Sequence, residues 1–314
     1  MTLPKRSCKR FLAQGTNWLL VALLSMALVL TACSPGGQTP TQYVFDDLGR
    51  MVAINGTPQR IISLAPSNTE ILFALGLGER IVGVTDYCDY PPEALNKTKV
   101  GGYANPDVEK IVALNPDLIL VAHGTPMDII NSMAGLGLTV FGIKTTDLDD
   151  LLEDIRRIAE ITDKEVEAQA LSSEMETRIQ AVTNQTDELE QRPRVFYIVW
   201  HDPLWTAGSG TFIHELIEKG GGVNICQNIT GYTTISIEEV LACDPEIIIT
   251  SSWPGVYEWA MNSTELEVTA ARQSGSVYTC DDNLVQRPGP RLVEGLEWFA
   301  HFIHPEMFEE PEGG

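Results

Sequence analysis

A fourteen-residue pattern occurs twice in this chain and limits what it can fold into. Val108-Glu-Lys-Ile-Val-Ala-Leu-Asn-Pro-Asp-Leu-Ile-Leu-Val121 returns 129 positions later as Ile237-Glu-Glu-Val-Leu-Ala-Cys-Asp-Pro-Glu-Ile-Ile-Ile-Thr250. Each copy opens as an amphipathic helix and meets a proline, Pro116 or Pro245. Proline lacks the amide hydrogen and clashes with the preceding turn, so the helix stops there. The short apolar run that follows reads as a strand buried on both faces, as in a parallel sheet. One helix–turn–strand unit used twice, far apart, implies two similar α/β lobes. Two lobes leave a cleft, and a cleft of that kind is a natural ligand site.

The first residues carry an export signal. Lys5, Arg6, Lys9 and Arg10 precede an apolar stretch from Trp18 to Leu30, broken only by Ser25, and Leu30-Thr31-Ala32-Cys33 closes it. The order basic, apolar, small is that of a secretory leader, and the apolar run is short of the ~20 residues of a membrane span. Residues 1–32 are expected to be a lipoprotein signal peptide, and residues 33–42, rich in Pro, Gly, Gln and Thr, a flexible tether. Removing the 32 residues before Cys33 leaves 282 of 314, enough for two lobes. The four leader charges are all basic, so the net charge of −22 becomes −26. A surface that acidic repels phosphate backbones, which excludes nucleic acid as a partner. It suits an extracytoplasmic domain, expected as a monomer.

Of the remaining cysteines, Cys88, Cys226, Cys243 and Cys280, none forms a C-x-x-C pair, and their pairing stays open. A hairpin is expected over Tyr43–Ile54, and strands over Arg60–Leu64, Ile81–Thr85, Leu118–Val121 and Thr139–Ile143. Helices at Ser67–Leu75 and Met127–Ala134 alternate with them, giving a parallel sheet with helices on its faces over residues 43–146. From Leu148 to about Leu189 there is neither Pro nor Gly, and Leu151, Leu152, Ile155, Ile158 and Ile161 fall at helical spacing. That predicts an interlobe helix within residues 147–190, on the order of 60 Å long if unbroken, with Thr162-Asp163 as the place for a kink. The second lobe, residues 191–310, begins with a strand at Arg194–Trp200. It continues through helix Phe212–Lys219, the second repeat unit and strand Ser276–Thr279, and ends in a helix over Pro288–His304.

Arg60-Ile-Ile-Ser-Leu-Ala-Pro-Ser-Asn-Thr-Glu-Ile-Leu-Phe-Ala-Leu-Gly76, Val82-Gly-Val84, Asp89-Tyr-Pro-Pro92, Gly101-Gly-Tyr103, the first repeat and Gly220-Gly-Gly-Val-Asn224 resemble, in order and spacing, the helical-backbone (class III) solute-binding proteins of ABC importers. That family serves vitamin B12, ferric siderophores and haem. Tyr87-Cys-Asp-Tyr-Pro-Pro-Glu-Ala94 looks most like its cobalamin-binding members. The resemblance implies two Rossmann-like α/β lobes with parallel sheets, joined by a single long helix, closing only slightly on ligand. Leu-Thr-Ala-Cys33 likewise resembles a bacterial lipobox, which implies a diacylglycerol on Cys33 and a protein anchored outside the cell membrane. The implied partners are cobalamin or a related corrinoid, as transported ligand rather than cofactor, and a permease dimer with its ATPase.

A corrin is a broad, mostly apolar macrocycle with an amide rim, so the cleft needs aromatic faces and a few polar groups. Loops at the carboxyl ends of parallel strands are where such groups belong. Tyr87, Tyr103 and His123 follow strands of the first lobe. Trp200, His201, Trp205, Tyr232 and Trp253 lie at corresponding places in the second. The resemblance places Tyr87, Tyr103 and Tyr232 among the cleft aromatics, and Asn283, Leu284, Val285, Gln286 and Arg287 on a ligand-contacting loop. Tyr103, Tyr232 and Leu284 stand where the cobalamin binders carry tryptophan, and Ala122 replaces another. One exposed glutamate per lobe is implied to meet permease arginines: Glu109 and Glu218, with Glu238, the repeat counterpart of Glu109, in reserve.

No nucleophile elbow, zinc-protease motif or phosphate-binding loop occurs. His301 and His304, three apart, are too few for a metal site, and His123 or His201 at a strand end reads first as a hydrogen-bonding group. Without a catalytic cluster, a binding protein is expected rather than an enzyme. An exported corrinoid-processing enzyme, a siderophore or haem binder, and a sensor lipoprotein without a transporter are the alternatives.

Overall fold

The computed structural model describes residues 41–311, together with Thr2. The leader, Cys33 and most of the tether lie outside the described residues. Strands are β1 Thr41–Phe45, β2 Met51–Asn55, β3 Ile61–Ser63, β4 Ile81–Val84, β5 Leu118–Ala122, β6 Val140–Ile143, β7 Arg194–Ile198, β8 Trp200–His201, β9 Leu204–Ala207, β10 Val223–Asn224, β11 Tyr232–Thr234, β12 Ile247–Ser251 and β13 Val277–Cys280. Two four-stranded sheets form the lobes, in order β4-β3-β5-β6 and β10-β7-β12-β13, and every pairing in both is parallel. The second order is the first repeated strand for strand. The repeat strands, β5 and β12, take the same inner position in each, which is why both open on apolar runs: all of β12 and the first four residues of β5 are buried.

The repeat also fixes how each unit is locked. Helices Val108–Ala113 and Ile237–Cys243 stop ahead of the proline with Asn115 and Asp244 in the left-handed region, at φ 46° and 44°. Stopping leaves helix carbonyls without partners. Arg60 donates to the carbonyls of Leu114 at 2.6 Å and Asn115 at 3.0 Å, and Arg194 does the same for Cys243 at 2.9 Å and Asp244 at 2.8 Å. A cation there also suits the helix dipole. The acid after each proline closes the clamp. Asp117 accepts the backbone N–H of Gln59 and Arg60, and Glu246 accepts that of Arg194.

The expected interlobe helix is interrupted at the expected place for a kink, giving two helices, Leu148–Thr162 and Glu165–Thr186. Asp163 takes a left-handed conformation at φ 56°. Arg156 and Glu176 then meet at 2.7 Å, although twenty positions along one straight helix would hold them about 30 Å apart. The chain therefore folds back at Asp163. The first helix buries Leu151, Ile155 and Ile158 beside the first lobe. The second, about 33 Å long, joins the lobes: Arg178 grips Glu297 through two bonds of 2.8 and 2.6 Å, and Thr186 bonds the carbonyl of Lys219. The largest apolar core runs from Ile71 through Ile155 and Met175 to Leu216 and Leu296, so both lobes share it along the spine.

Two other elements matter. The N-terminal hairpin β1–β2 packs on the edge of the first lobe, where Asp46 accepts from Gly142 N–H. In the second lobe an antiparallel sheet, β11-β9-β8, sits beyond the end of β7. The strand expected to reach Trp200 stops at Ile198, and Trp200 belongs to that second sheet. Among the described residues no helix is long and apolar enough to cross a membrane.

Candidate functional site

The cleft opens at the carboxyl ends of the parallel strands. Ala65 to Ser67 follow β3, Ala122 ends β5 with His123 next to it, and Thr145 follows β6. With Tyr103 they face Gln286, Arg287 and Pro288 of the second lobe across a cavity of ≈240 Å³. Tyr103 and Tyr87 are both exposed, with ring centroids 6.1 Å apart and planes tilted by 54°. The pair depends on the glycines before it. Gly101 adopts φ 90°, and a Cβ on Gly102 would sit 2.6 Å from Asn105 Oδ1 and 3.5 Å from the Tyr87 ring.

The antiparallel sheet carries the exposed aromatics of the second lobe. Trp200 pairs with Trp205, Thr234 with Trp205, and Tyr232 with Ala207. Paired residues, and residues two apart on a strand, share a face. Trp200, Trp205 and Tyr232 therefore stand on one face, and all three are exposed. Trp253, just after β12, is exposed as well.

Asp282 ties the ends of β7 and β12 to Gln286 at the cavity. It accepts from Tyr197 Oη at 3.2 Å, from Ser252 N and Oγ at 3.1 Å each, and from the side-chain amide of Gln286. Burial raises its pKa, and the bonds from Gln286, Ser252 and Tyr197 oppose that rise. Although the Tyr232 residue is 41% exposed, desolvation of its hydroxyl, then the Asp282 charge, pushes its pKa up to about 12. With its four acceptor positions filled, Asp282 orients Gln286 rather than meeting a ligand itself.

Of the loop expected at the ligand, Gln286 and Arg287 line the cavity, and Asn283 is half-buried outside its lining. Leu284 and Val285 do not fit that expectation. Residues Asp282–Val285 form a helical turn capped by Asp281, which packs both side chains inward, at 7% and 0% exposure. The contact is close: a Cβ on Gly295 would lie 2.6 Å from the Leu284 carbonyl.

The sequence gives no role to Glu70, Asp89, Tyr90 or Arg291, which with Arg287 tie the lobes together beside the cleft. Arg291 holds the buried Glu70 through bonds of 3.0 and 2.7 Å, and its guanidinium lies 3.8 Å from the Tyr90 ring centre. Arg287 bonds Asp89 at 2.6 Å and approaches Glu70 at 3.7 Å. The Arg287 bond holds the Asp89 carboxyl below its usual range. Glu70, Asp89 and Tyr90 all lie in motifs that carried the family resemblance, but nothing in the sequence pairs them with arginines about 200 residues away.

Glu109 is exposed in the first turn of its helix. Glu218 is half-buried and accepts the N–H of Asn224 at 3.1 Å. Glu238 is exposed in the first turn of the second repeat helix, the same place as Glu109 in the first. His301 and His304 bond the carbonyls of Phe308 and Gly221, and no group of three or more His, Cys, Asp or Glu among the described residues could hold a metal. His201 stacks on Trp259 with Trp200 tilted against it, and His123 lines the cavity. Cys88, Cys226, Cys243 and Cys280 are all free.

A family model described as periplasmic binding protein matches residues 61–284. The chain belongs to that family. Among its relatives is the ABC transporter substrate-binding lipoprotein YvrC of Bacillus subtilis, 33% identical over 310 residues, covering 92% of this chain and 97% of YvrC. The crystal structure of the periplasmic vitamin B12 binding protein BtuF of Vibrio cholerae superposes with a TM-score of 0.70 at 32% identity, covering 79% of this chain and 97% of BtuF. The periplasmic haem-binding protein RhuT of Roseiflexus superposes at 0.72 with 25% identity, covering 80% of this chain and all of RhuT. This periplasmic binding protein thus shares the two-lobed fold of its relatives. The family is one of binding proteins, not enzymes, which sets aside corrinoid processing.

Proposed function

We propose that this protein captures cobalamin or a related corrinoid in the interlobe cleft and delivers it to an ABC importer, held at the outer face of the cell membrane by a diacylglycerol on Cys33. The observation that carries the ligand is the set of exposed aromatics. Tyr103 lines the interlobe cavity with Tyr87 beside it, and Trp200, Trp205, Tyr232 and Trp253 are exposed on the second lobe, while Ser67, His123, Thr145, Gln286 and Arg287 give the cavity its polar groups. Flat apolar faces with a few fixed polar groups suit a corrin and its amide rim. Gln286, positioned by Asp282, is one such group. The similarity to a vitamin B12 binding protein over most of the chain supports the same ligand. The shared core along the spine supports a cleft that closes little.

Delivery requires an anchor on each lobe. Glu109 and Glu238 are exposed and occupy equivalent first turns, so a permease dimer would meet them as a matched pair. Carboxylates on arginines give directional, charge-assisted bonds. Glu218 is already engaged by Asn224 and is the weaker choice.

Native mass spectrometry after exposure to a panel of corrinoids, haem and ferric siderophores tests the ligand. One-to-one retention of a corrinoid is expected. Retention of haem or a siderophore alone would keep the family and replace the ligand. Mass analysis of the Cys33 peptide from membranes tests the anchor.

A further inference from the structure

The N-terminal hairpin presents an apolar face that no other described residue covers. Its register pairs Thr41 with Asn55, Tyr43 with Ala53 and Phe45 with Met51, which puts these six residues on one side. Val44, Val52 and Ile54 turn the other way, into or against the core. Tyr43, Phe45 and Met51 are 66, 68 and 63% exposed. None of the six is charged, in a chain with 21 basic and 43 acidic residues. The acids of the turn are paired, Asp46 with Arg50 and Asp47 with Arg157.

The position of this face along the chain points to its occupant. Thr41 is eight residues beyond Cys33, and extended chain spans at most ~3.6 Å per residue, so an anchor on Cys33 keeps the hairpin within about 30 Å of the bilayer. We propose that the Tyr43–Phe45–Met51 face rests on the lipid headgroup region. This inference depends on the lipid-anchor reading above. Aromatic side chains favour that region, and an exposed apolar patch marks a contact surface. A face without charges meets it without stripping water from an ion, which matters for a protein this acidic. A second copy is a poorer fit, because a stable protein interface takes roughly 800 Å² and 20–30 residues per partner, and this stripe has six. The membrane contact would set the orientation in which the anchored protein waits for ligand.

The test couples the mature chain through Cys33 to phosphatidylcholine vesicles bearing maleimide lipid. Cys243→Ser removes the other exposed thiol, since Cys88, Cys226 and Cys280 are buried. Phe45→Trp adds a reporter on the stripe. Val166→Trp adds one at an equally open site on the spine helix, where Val166 is 82% exposed. Brominated acyl chains are expected to quench the Phe45→Trp increment and to leave the Val166→Trp increment unchanged. Adding Tyr43→Ser and Met51→Ser should bring the first down to the second. Equal quenching at both sites, or at neither, overturns the proposal. So does a doubling of mass in the uncoupled protein that Phe45→Ser abolishes, which would give the face to a second copy. An unlipidated Cys33 in cells overturns the anchor reading separately, and with it the membrane as occupant, whatever the vesicles show.

Discussion

Glu70→Ala should cost more stability than its position on a short surface-lobe helix suggests. Glu70 has 2% of its side chain exposed and faces two arginines of the other lobe, Arg291 with 18% and Arg287 with 19%. Gly289 closes over it, near enough that a Cβ there would lie 3.0 Å from Oε2. Removing one partner of a fully buried ion pair costs about 3–5 kcal/mol, because the other charge stays desolvated and unpaired. Here the arginines keep some water, Arg291 keeps the Tyr90 ring and Arg287 keeps Asp89, so a loss of about 2–3 kcal/mol is expected. For a protein of this size that lowers the melting temperature by roughly 5–10 °C. The matched control is Asp89→Ala. Asp89 is half exposed and should cost less than about 1 kcal/mol. Urea unfolding of both variants, with a double-mutant cycle through Arg291→Ala, gives the coupling directly. If Glu70→Ala costs no more than Asp89→Ala, or the cycle shows no coupling, the lobes are not pinned by this pair and the reasoning fails.

Asp154 is buried against Thr145, and burial raises its pKa to about 6 from 3.8. The folded state therefore holds the proton more tightly than the unfolded chain, so the stabilising effect is complete below pH 3.8 and is lost as pH rises through about 6. Asp154→Asn should accordingly gain up to roughly 3 kcal/mol over the parent at pH 7.5, with the gain fading toward pH 4 in urea titrations. A gain that does not change with pH would remove the linkage. Tyr103→Ala should weaken cyanocobalamin capture about 10- to 100-fold by calorimetry, from lost aromatic burial; unchanged affinity would take Tyr103 out of the site. Glu109→Ala and Glu238→Ala should each leave capture intact and slow uptake in reconstituted vesicles, while Glu218→Ala should leave uptake close to the parent's. The reverse ranking of Glu218 and Glu238 would show that the docking pair is not the repeat-related one.

What was legible in the sequence was local and repeated. Pro116 and Pro245 stop helices wherever they fall, and a five-residue apolar run has little choice but a buried strand. The lobes, and the aromatics at their strand ends, follow from those signals. Thr162-Asp163 reads as a place for a kink, but the full reversal at Asp163 was hidden because nothing in Thr162-Asp163-Lys164 forbids a helix. Asp enters the left-handed region without the glycine that would announce it, and the fold-back is driven by packing on the first lobe. The sheet carrying Trp200, Trp205 and Tyr232 uses strands of two to four residues, too short for a periodic signal. Leu284 and Val285 come to the ligand-contacting loop through the family resemblance, which does not resolve which way single side chains face. The single helical turn there sends them inward, and one turn is beyond the resolution of pattern reading.

The docking acids bring the two kinds of information into conflict. Resemblance to the family put the second anchor on Glu218, while the internal repeat put it on Glu238. The structure gives a physical ground for the repeat. Asn115 and Asp244 share their unusual backbone, Arg60 and Arg194 their carbonyl contacts, and Asp117 and Glu246 their strand contacts, so the two units match down to single hydrogen bonds. Two like permease subunits facing two like lobes must bind at like places, or one contact would be strained whenever the other formed. Glu109 has such a counterpart only in Glu238, and any exposed residue beside Glu109 that proves to matter for uptake should have its partner 129 positions further on.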